Sequence, residues 1–141
     1  MATTRTATTT WQGSLAEGAG SVALDSSGVG SFDVSWPSRS EEANGKTSPE
    51  ELIAAAHSSC FSMALSAALS KAGTPPTSLV TTADVELTVG TGITGIALRV
   101  EGQVEGVTAE QFAEFAEGAK ANCPVSKALA GTTITLEATL R

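Results

Sequence analysis

Ser48-Pro49-Glu50-Glu51-Leu52-Ile53-Ala54-Ala55-Ala56-His57-Ser58-Ser59-Cys60-Phe61-Ser62-Met63 is the stretch around which the rest of the chain arranges itself. It opens as a helix should. Ser48 is an N-cap, Pro49 suits the first helical position, and Glu51 stands three residues after the cap to complete a capping box. Nothing breaks the pattern before Gly73, a C-terminal stop, and Pro75 and Pro76 forbid continuation, so the helix is expected to run to about residue 72. The apolar run around residues 52–69 is interrupted by His57 and several serines. It is therefore expected to be a core helix and not a membrane span.

Strand patterns lie on both sides of this helix. Toward the N-terminus, residues 3–12 are threonine-rich and end in Trp11, and residues 14–25 form a second segment. In residues 29–36, Phe32, Val34 and Trp36 alternate with Ser31, Asp33 and Ser35, the period of a half-buried strand. Residues 37–47 are polar and predict a loop. Toward the C-terminus, residues 78–89 and 93–105 alternate around a Gly90-Thr91-Gly92 turn. Thr108 and Gln111 form a second capping box that opens a helix to about Ala121. A short helix over 124–130 and a strand over 132–140 complete the chain. The order βββ-α-ββ-α-α-β predicts an α+β fold with antiparallel sheets around the long helix. One domain over residues 1–141 is expected from length.

Composition narrows the function classes. Fifteen acidic against eight basic residues give a net charge of −7, which argues against nucleic acid or an anionic membrane surface as partner. Met1-Ala2-Thr3-Thr4-Arg5 has no apolar region of signal-peptide type, so a reducing cytoplasmic location is expected. There, two cysteines point to catalysis, redox sensing or plain burial before a permanent bridge.

The two cysteines have unlike settings. Cys60 lies inside the long helix, where a free cysteine is by default a small core hydrophobe. His57, one turn earlier, shares nearly the same face. Cys123 stands before Pro124 at a helix start, where the dipole favours thiolate, and is expected at a mobile edge. Arg39 lies in the polar loop, and Glu50 is left free if Glu51 serves the cap. A guanidinium beside a thiol lowers its pKa, and a carboxylate gripping the guanidinium fixes its direction. Ten helical residues, roughly 15 Å of rise, separate Glu50 from Cys60. If these groups cooperate, Arg39 and Glu50 reach Cys60 from a partner subunit, which predicts an obligate dimer with composite sites. Other readings stay open. Cys60 with His57 suggests a Cys–His hydrolase, though no orienting Asp or Asn is evident. The thiols could also be inert in a small-molecule binder or sensor. Cys60, His57 and Cys123 lack a zinc-ligand spacing, and His57 alone reads as a core histidine.

The run from Ser48 to Leu65 resembles the signature helix of the OsmC/Ohr family of thiol-dependent hydroperoxide reductases. Asn122-Cys123-Pro124-Val125-Ser126 is similar to that family's second cysteine motif. The resemblance implies that Cys60 is the peroxidatic cysteine and Cys123 the resolving one. It implies that Glu50 holds the active-site arginine. An arginine in the loop before the helix, here Arg39, marks the OsmC branch. The family fold is an intertwined homodimer with interface sites. The resemblance further implies reduction of organic hydroperoxides, and less well of hydrogen peroxide, without metal or cofactor. It implies turnover by an external dithiol, lipoyl-type or a small-protein thiol, in an antioxidant stress response. An apolar lining from Ile53, Phe61, Met63, Trp36 and partner residues is expected to favour organic peroxides.

Overall fold

A computed structural model describes residues 1–141 as two compact units, Met1–Leu52 and Ile53–Arg141. The first unit holds β1 (Thr8–Gln12), β2 (Ala19–Ala23) and β3 (Ser31–Val34), then a short helix α1 (Trp36–Ser40). Helix α2 (Pro49–Lys71) crosses the boundary. The second unit continues with β4 (Ser78–Thr88), β5 (Gly92–Gln103), α3 (Ala109–Asn122), α4 (Pro124–Ala128) and β6 (Ile134–Leu140). The mixed α+β class and the order of strands and main helices agree with the sequence reading.

In the first unit, β1, β2 and β3 form an antiparallel meander with Trp11 opposite Gly20 and Gly20 opposite Val34. It has little interior of its own. Val22 is its one buried apolar side chain, while Trp11, Leu15, Val29 and Phe32 are exposed. The expected strand over 29–36 stops at Val34, and α1 replaces the start of the expected loop. The cause is local. Ser35 Oγ accepts from the Ser38 N–H at 3.2 Å, Ser38 Oγ accepts from the Ser35 N–H at 3.1 Å, and Pro37 sits in the first turn. This reciprocal cap turns the chain at Trp36 and overrides the alternation that Trp36 continues.

Helix α2 begins and ends where its punctuation requires, with one change at the cap. Ser48 Oγ accepts from the Glu51 N–H at 3.1 Å, but the Glu51 carboxylate accepts from Thr47 Oγ1 at 2.6 Å and does not return to the cap backbone. At the other end Gly73 has φ +84°, the Gly73 N–H donates to Ser70 O at 3.0 Å and the Thr74 N–H to Leu69 O at 2.9 Å. This 6→1, 5→2 pair is a Schellman motif, which needs the left-handed residue that glycine supplies. By length and composition α2 could cross a bilayer, so serines alone do not exclude a span. Its packing within the second unit shows a core helix: Phe61, Leu65 and Leu69, spaced by four, are completely buried. Each such side chain contributes about 1.5–3 kcal/mol of apolar burial. Another face of α2 is left open, with Met63 71 % exposed.

The core of the second unit joins this stripe to Ile96, Leu98 and Val100 on alternate positions of β5 and to Phe112, Ala116 and Ala119 on one face of α3. Helix α3 starts at the predicted capping box, with Gln111 N–H on Thr108 Oγ1 and Thr108 N–H on Gln111 Oε1. Strands β4 and β5 form the expected hairpin. Strand β6 departs from the antiparallel expectation and pairs parallel to β5, Ile96 opposite Ile134 through Gly102 opposite Leu140. The reason is connection length: α3 and α4 carry the chain back across the sheet before β6 begins, as a crossover requires.

Gly102 packs tightly against this core. A Cβ built there would lie 2.5 Å from Phe112 Cζ and 3.2 Å from Leu79 Cδ2. Gly102→Ala is expected to destabilise the protein by about 1–3 kcal/mol through overpacking. Urea unfolding checks this; an unchanged midpoint would mean that the Phe112 ring shifts freely.

Candidate active site

The structure joins the four singled-out residues in two pairs, one in each unit. In the first, Arg39 occupies the last turn of α1 and Glu50 the first turn of α2. Arg39 Nε and Nη2 donate to Glu50 Oε1 at 3.0 and 2.9 Å, with Nε also 3.2 Å from Oε2. Glu50 is buried to 7 % exposure, and such a forked contact fixes the guanidinium plane. The Arg39 Cζ also stands 5.9 Å from the Trp36 ring centroid, a cation–π distance. Arg39 therefore belongs to a capped helix and not to a free loop, and both its partners hold it from within residues 36–50.

Beside this arginine the first unit forms an apolar cavity of about 370 Å³, lined by Trp11, Leu15, Val22, Trp36, Arg39 and Leu52 among others. Of the expected apolar lining, Trp36 is here. Phe61 is not: it is fully buried in the core, because it belongs to the i, i+4 stripe with Leu65 and Leu69.

In the second unit, Cys60 Sγ and Cys123 Sγ are 2.9 Å apart, both as free thiols. Their exposures reverse the expectation. Cys123 is completely buried, and Cys60 is half-buried. Cys123 is the hinge residue between α3 and α4, its N–H bonded to Ala119 O, and the corner tucks it into the core cluster. Burial pushes the Cys60 thiol above its ordinary pKa, and contact with Cys123 pushes it further, against a weaker pull from the Val125 backbone. For Cys123 burial also acts upward, but hydrogen bonds from Cys60, from the backbone and hydroxyl of Ser126 and from the Val125 backbone outweigh it and bring the thiol below its usual value. No cation contributes to either shift. The α4 N-terminus thus favours thiolate at Cys123.

His57 continues the buried stripe of α2, at 0 % exposure. Its Nε2 lies 2.7 Å from Ser126 Oγ, and its Nδ1 is buried without a partner. Burial lowers its pKa, so the ring is neutral. His57 makes no hydrogen bond to Cys60, as the Cys–His hydrolase pairing needs; its one bonded nitrogen meets Ser126. Ser126 is the residue that sequence reasoning passed over. Its place in the first turn after Cys123 was the available signal; its bond to His57, 69 positions away, was not. No cluster of three or more metal-ligating side chains forms.

Residues 42–137 match the family model described as OsmC-like protein. The chain is 46 % identical over 122 residues to Peroxiredoxin OsmC of Escherichia coli (strain K12), covering 84 % of this chain and 85 % of that protein. Among solved structures it resembles the organic hydroperoxide resistance protein OhrB of Bacillus subtilis, with a TM-score of 0.71, 27 % identity and 95 % and 98 % of the two chains covered. An organic hydroperoxide resistance protein from Elizabethkingia anophelis superposes with a TM-score of 0.71 at 28 % identity over 100 % of both chains. With a family model covering most of its length and a close relative along the same span, the chain belongs to the OsmC-like protein family.

Proposed function

We infer that the protein is a thiol-dependent peroxidase of the OsmC branch that reduces organic hydroperoxides to alcohols. The observation that carries this reading is the pair of free thiols 2.9 Å apart, one half-buried within α2 and one at a helix N-terminus. Cys60 thiolate attacks the terminal peroxide oxygen, the O–O bond breaks, and the alkoxide leaves as alcohol after taking a proton. Cys60 is then a sulfenic acid. Cys123 captures it, forming a disulfide and releasing water, and an external dithiol of lipoyl or small-protein type restores both thiols. The curated relative's name, Peroxiredoxin OsmC, supports this chemistry.

Cys60 needs help to ionise, since within its own unit burial raises its pKa and no cation touches it. Arg39, clamped by Glu50, is the group fit to supply that charge. Cys60 lies ten positions beyond Glu50 along an unbroken helix, roughly 15 Å, so the arginine acts on the Cys60 of a partner subunit. A homodimer also covers the open face of α2 and the exposed side chains of the β1–β3 sheet. In that dimer residues 1–141 act as one domain, in the cytoplasm, without metal or cofactor. The cavity beside Arg39 receives the organic tail.

A second reading, a redox sensor without turnover on the same scaffold, draws on the raised Cys60 thiol. Consumption of cumene hydroperoxide in the presence of dithiothreitol separates the two. Turnover is expected, at least about tenfold faster with cumene hydroperoxide than with hydrogen peroxide, given the apolar area a phenyl tail buries. Equal rates would remove the role of the apolar cavity, and no turnover would leave the sensor.

A further inference from the structure

We propose that Trp11, laid across Gly20, determines tail specificity in the cavity beside Arg39, selecting hydroperoxides with a compact aromatic tail over those with a saturated tail of the same size. The inference takes its reaction from the peroxidase reading, but the ring-binding surface behind it stands on the geometry of the first unit alone.

One face of the β1–β3 sheet forms the floor of this cavity. Thr9 stands opposite Val22, Trp11 opposite Gly20, and Gly20 in turn opposite Val34. Residues directly opposite across antiparallel strands share a face, and Thr9, Trp11, Val22 and Val34 all line the cavity. Gly20 is the gap in this row. A Cβ built there would lie 2.8 Å from Trp11 Cε3 and 3.3 Å from Val34 Cγ2. The indole therefore occupies space that a side chain at position 20 would claim. The pyrrole side of the ring is tied as well, since Trp11 Nε1–H donates to Gly13 O at 3.0 Å. A large flat ring held at both ends is a fixed wall, and Trp11 keeps 39 % exposure, area that a bound tail can cover.

Both tryptophans of the chain line this one cavity. Trp36 has the Arg39 Cζ 5.9 Å from its ring centroid, so its ring already serves the guanidinium, and Trp11 is the indole left for the tail. At about 370 Å³ the cavity stands at the small end of ligand sites, which suits a single ring better than a long chain. Area burial does not separate a phenyl tail from a cyclohexyl tail, because both remove similar apolar area from water. A flat aromatic wall does separate them. Aromatic rings that stack offset or meet edge to face gain affinity beyond the area they bury, and a puckered saturated ring has no such quadrupole to match. Gly20 is then a positioning residue, acting on the tail only through the place it leaves for Trp11.

The test compares cumyl alcohol with its ring-hydrogenated analogue, the unreactive products of cumene hydroperoxide and of the matching cyclohexyl hydroperoxide. The chain has no tyrosine and both its tryptophans lie in the cavity, so intrinsic fluorescence reads binding there directly. The wild type is expected to bind cumyl alcohol about 2- to 10-fold more tightly, and to show a similar ratio in kcat/KM for the two hydroperoxides, carried by KM and not by kcat. Trp11→Leu, followed through Trp36, should bring both ratios close to one, and Trp11→Phe should restore most of them. Gly20→Ala keeps the indole but displaces it, and should lower the ratios as Trp11→Leu does. Its Cβ would also lie 2.8 Å from Thr10 O; should that variant fold poorly, the two Trp11 variants, at an exposed position, keep the test decisive. Equal affinity of the wild type for the two alcohols overturns the proposal, as does a preference that survives Trp11→Leu or a failure to bind either alcohol. The binding arm uses no peroxide. A cumyl preference in a protein that fails to consume cumene hydroperoxide would sink the peroxidase reading alone. Turnover with equal binding would sink the aromatic wall alone.

Discussion

Cys60→Ser is expected to abolish hydroperoxide reduction, lowering kcat/KM by at least about 1000-fold, whereas Cys123→Ser keeps the first oxidation and loses the cycle. The asymmetry follows from what each sulfur does. The peroxide oxygen is attacked by a thiolate, and serine at the same place is neither ionised near neutral pH nor comparably nucleophilic. Its hydroxyl would fill the same half-buried position beside Cys123, so the fold is retained and the loss is chemical. In Cys123→Ser the sulfenic acid still forms but has no thiol at 2.9 Å to capture it. Intact-mass analysis after one equivalent of cumene hydroperoxide distinguishes the three proteins. The wild type should lose two hydrogens, Cys123→Ser should gain one oxygen or more, and Cys60→Ser should be unchanged. Oxidation of the Cys60→Ser protein at Cys123 would reverse the assignment. The lowered Cys123 thiol gives that outcome a physical route, and complete burial of Cys123 opposes it. Access decides which sulfur meets the peroxide, and ionisation decides which one attacks second.

The parts of this fold that could be read from sequence are those whose causes are local. Ser48, Pro49 and Gly73 delimit α2, and Thr108 with Gln111 opens α3, because caps act within four residues. Helix α1 was equally local, yet its Ser35–Ser38 cap was hidden by an alternation that ran on through Trp36. The parallel partner of β5 was not legible. Alternation in β6 states that one face is buried and says nothing of strand direction, which the α3–α4 crossover sets. The site divides the same way. Cys60, Cys123, Arg39 and Glu50 could be singled out by residue type and motif. That Cys123 is the more buried thiol, and that His57 bonds Ser126, depends on contacts spanning more than sixty positions. Residue spacing carries no information on such contacts.

Arg39→Ala is expected to lower kcat/KM for cumene hydroperoxide by about 100- to 1000-fold, the cost of removing one oriented charge from a developing anion. Glu50→Gln should cost less, about tenfold, because the guanidinium stays but loses the charge that fixes its plane. Arg39→Lys should not rescue, since an ammonium cannot reproduce the forked contact. The decisive form of the prediction mixes two dead proteins. Chains carrying Arg39→Ala keep Cys60, and chains carrying Cys60→Ser keep Arg39. If each site takes its arginine from the partner, a hybrid dimer has one site with both groups and one with neither. Equal co-expression makes half of the dimers hybrids, so about a quarter of wild-type activity should return. If arginine and cysteine act within one chain, every site in the mixture lacks one of them and no activity returns. Dilution supplies the second arm. Specific activity of the wild type should fall as dimers dissociate, while a protein that remains fully active as a monomer would place Arg39 and Cys60 in the same subunit. The raised Cys60 thiol favours the first outcome: a half-buried cysteine with no cation beside it in its own unit becomes a better nucleophile when a guanidinium is brought to it.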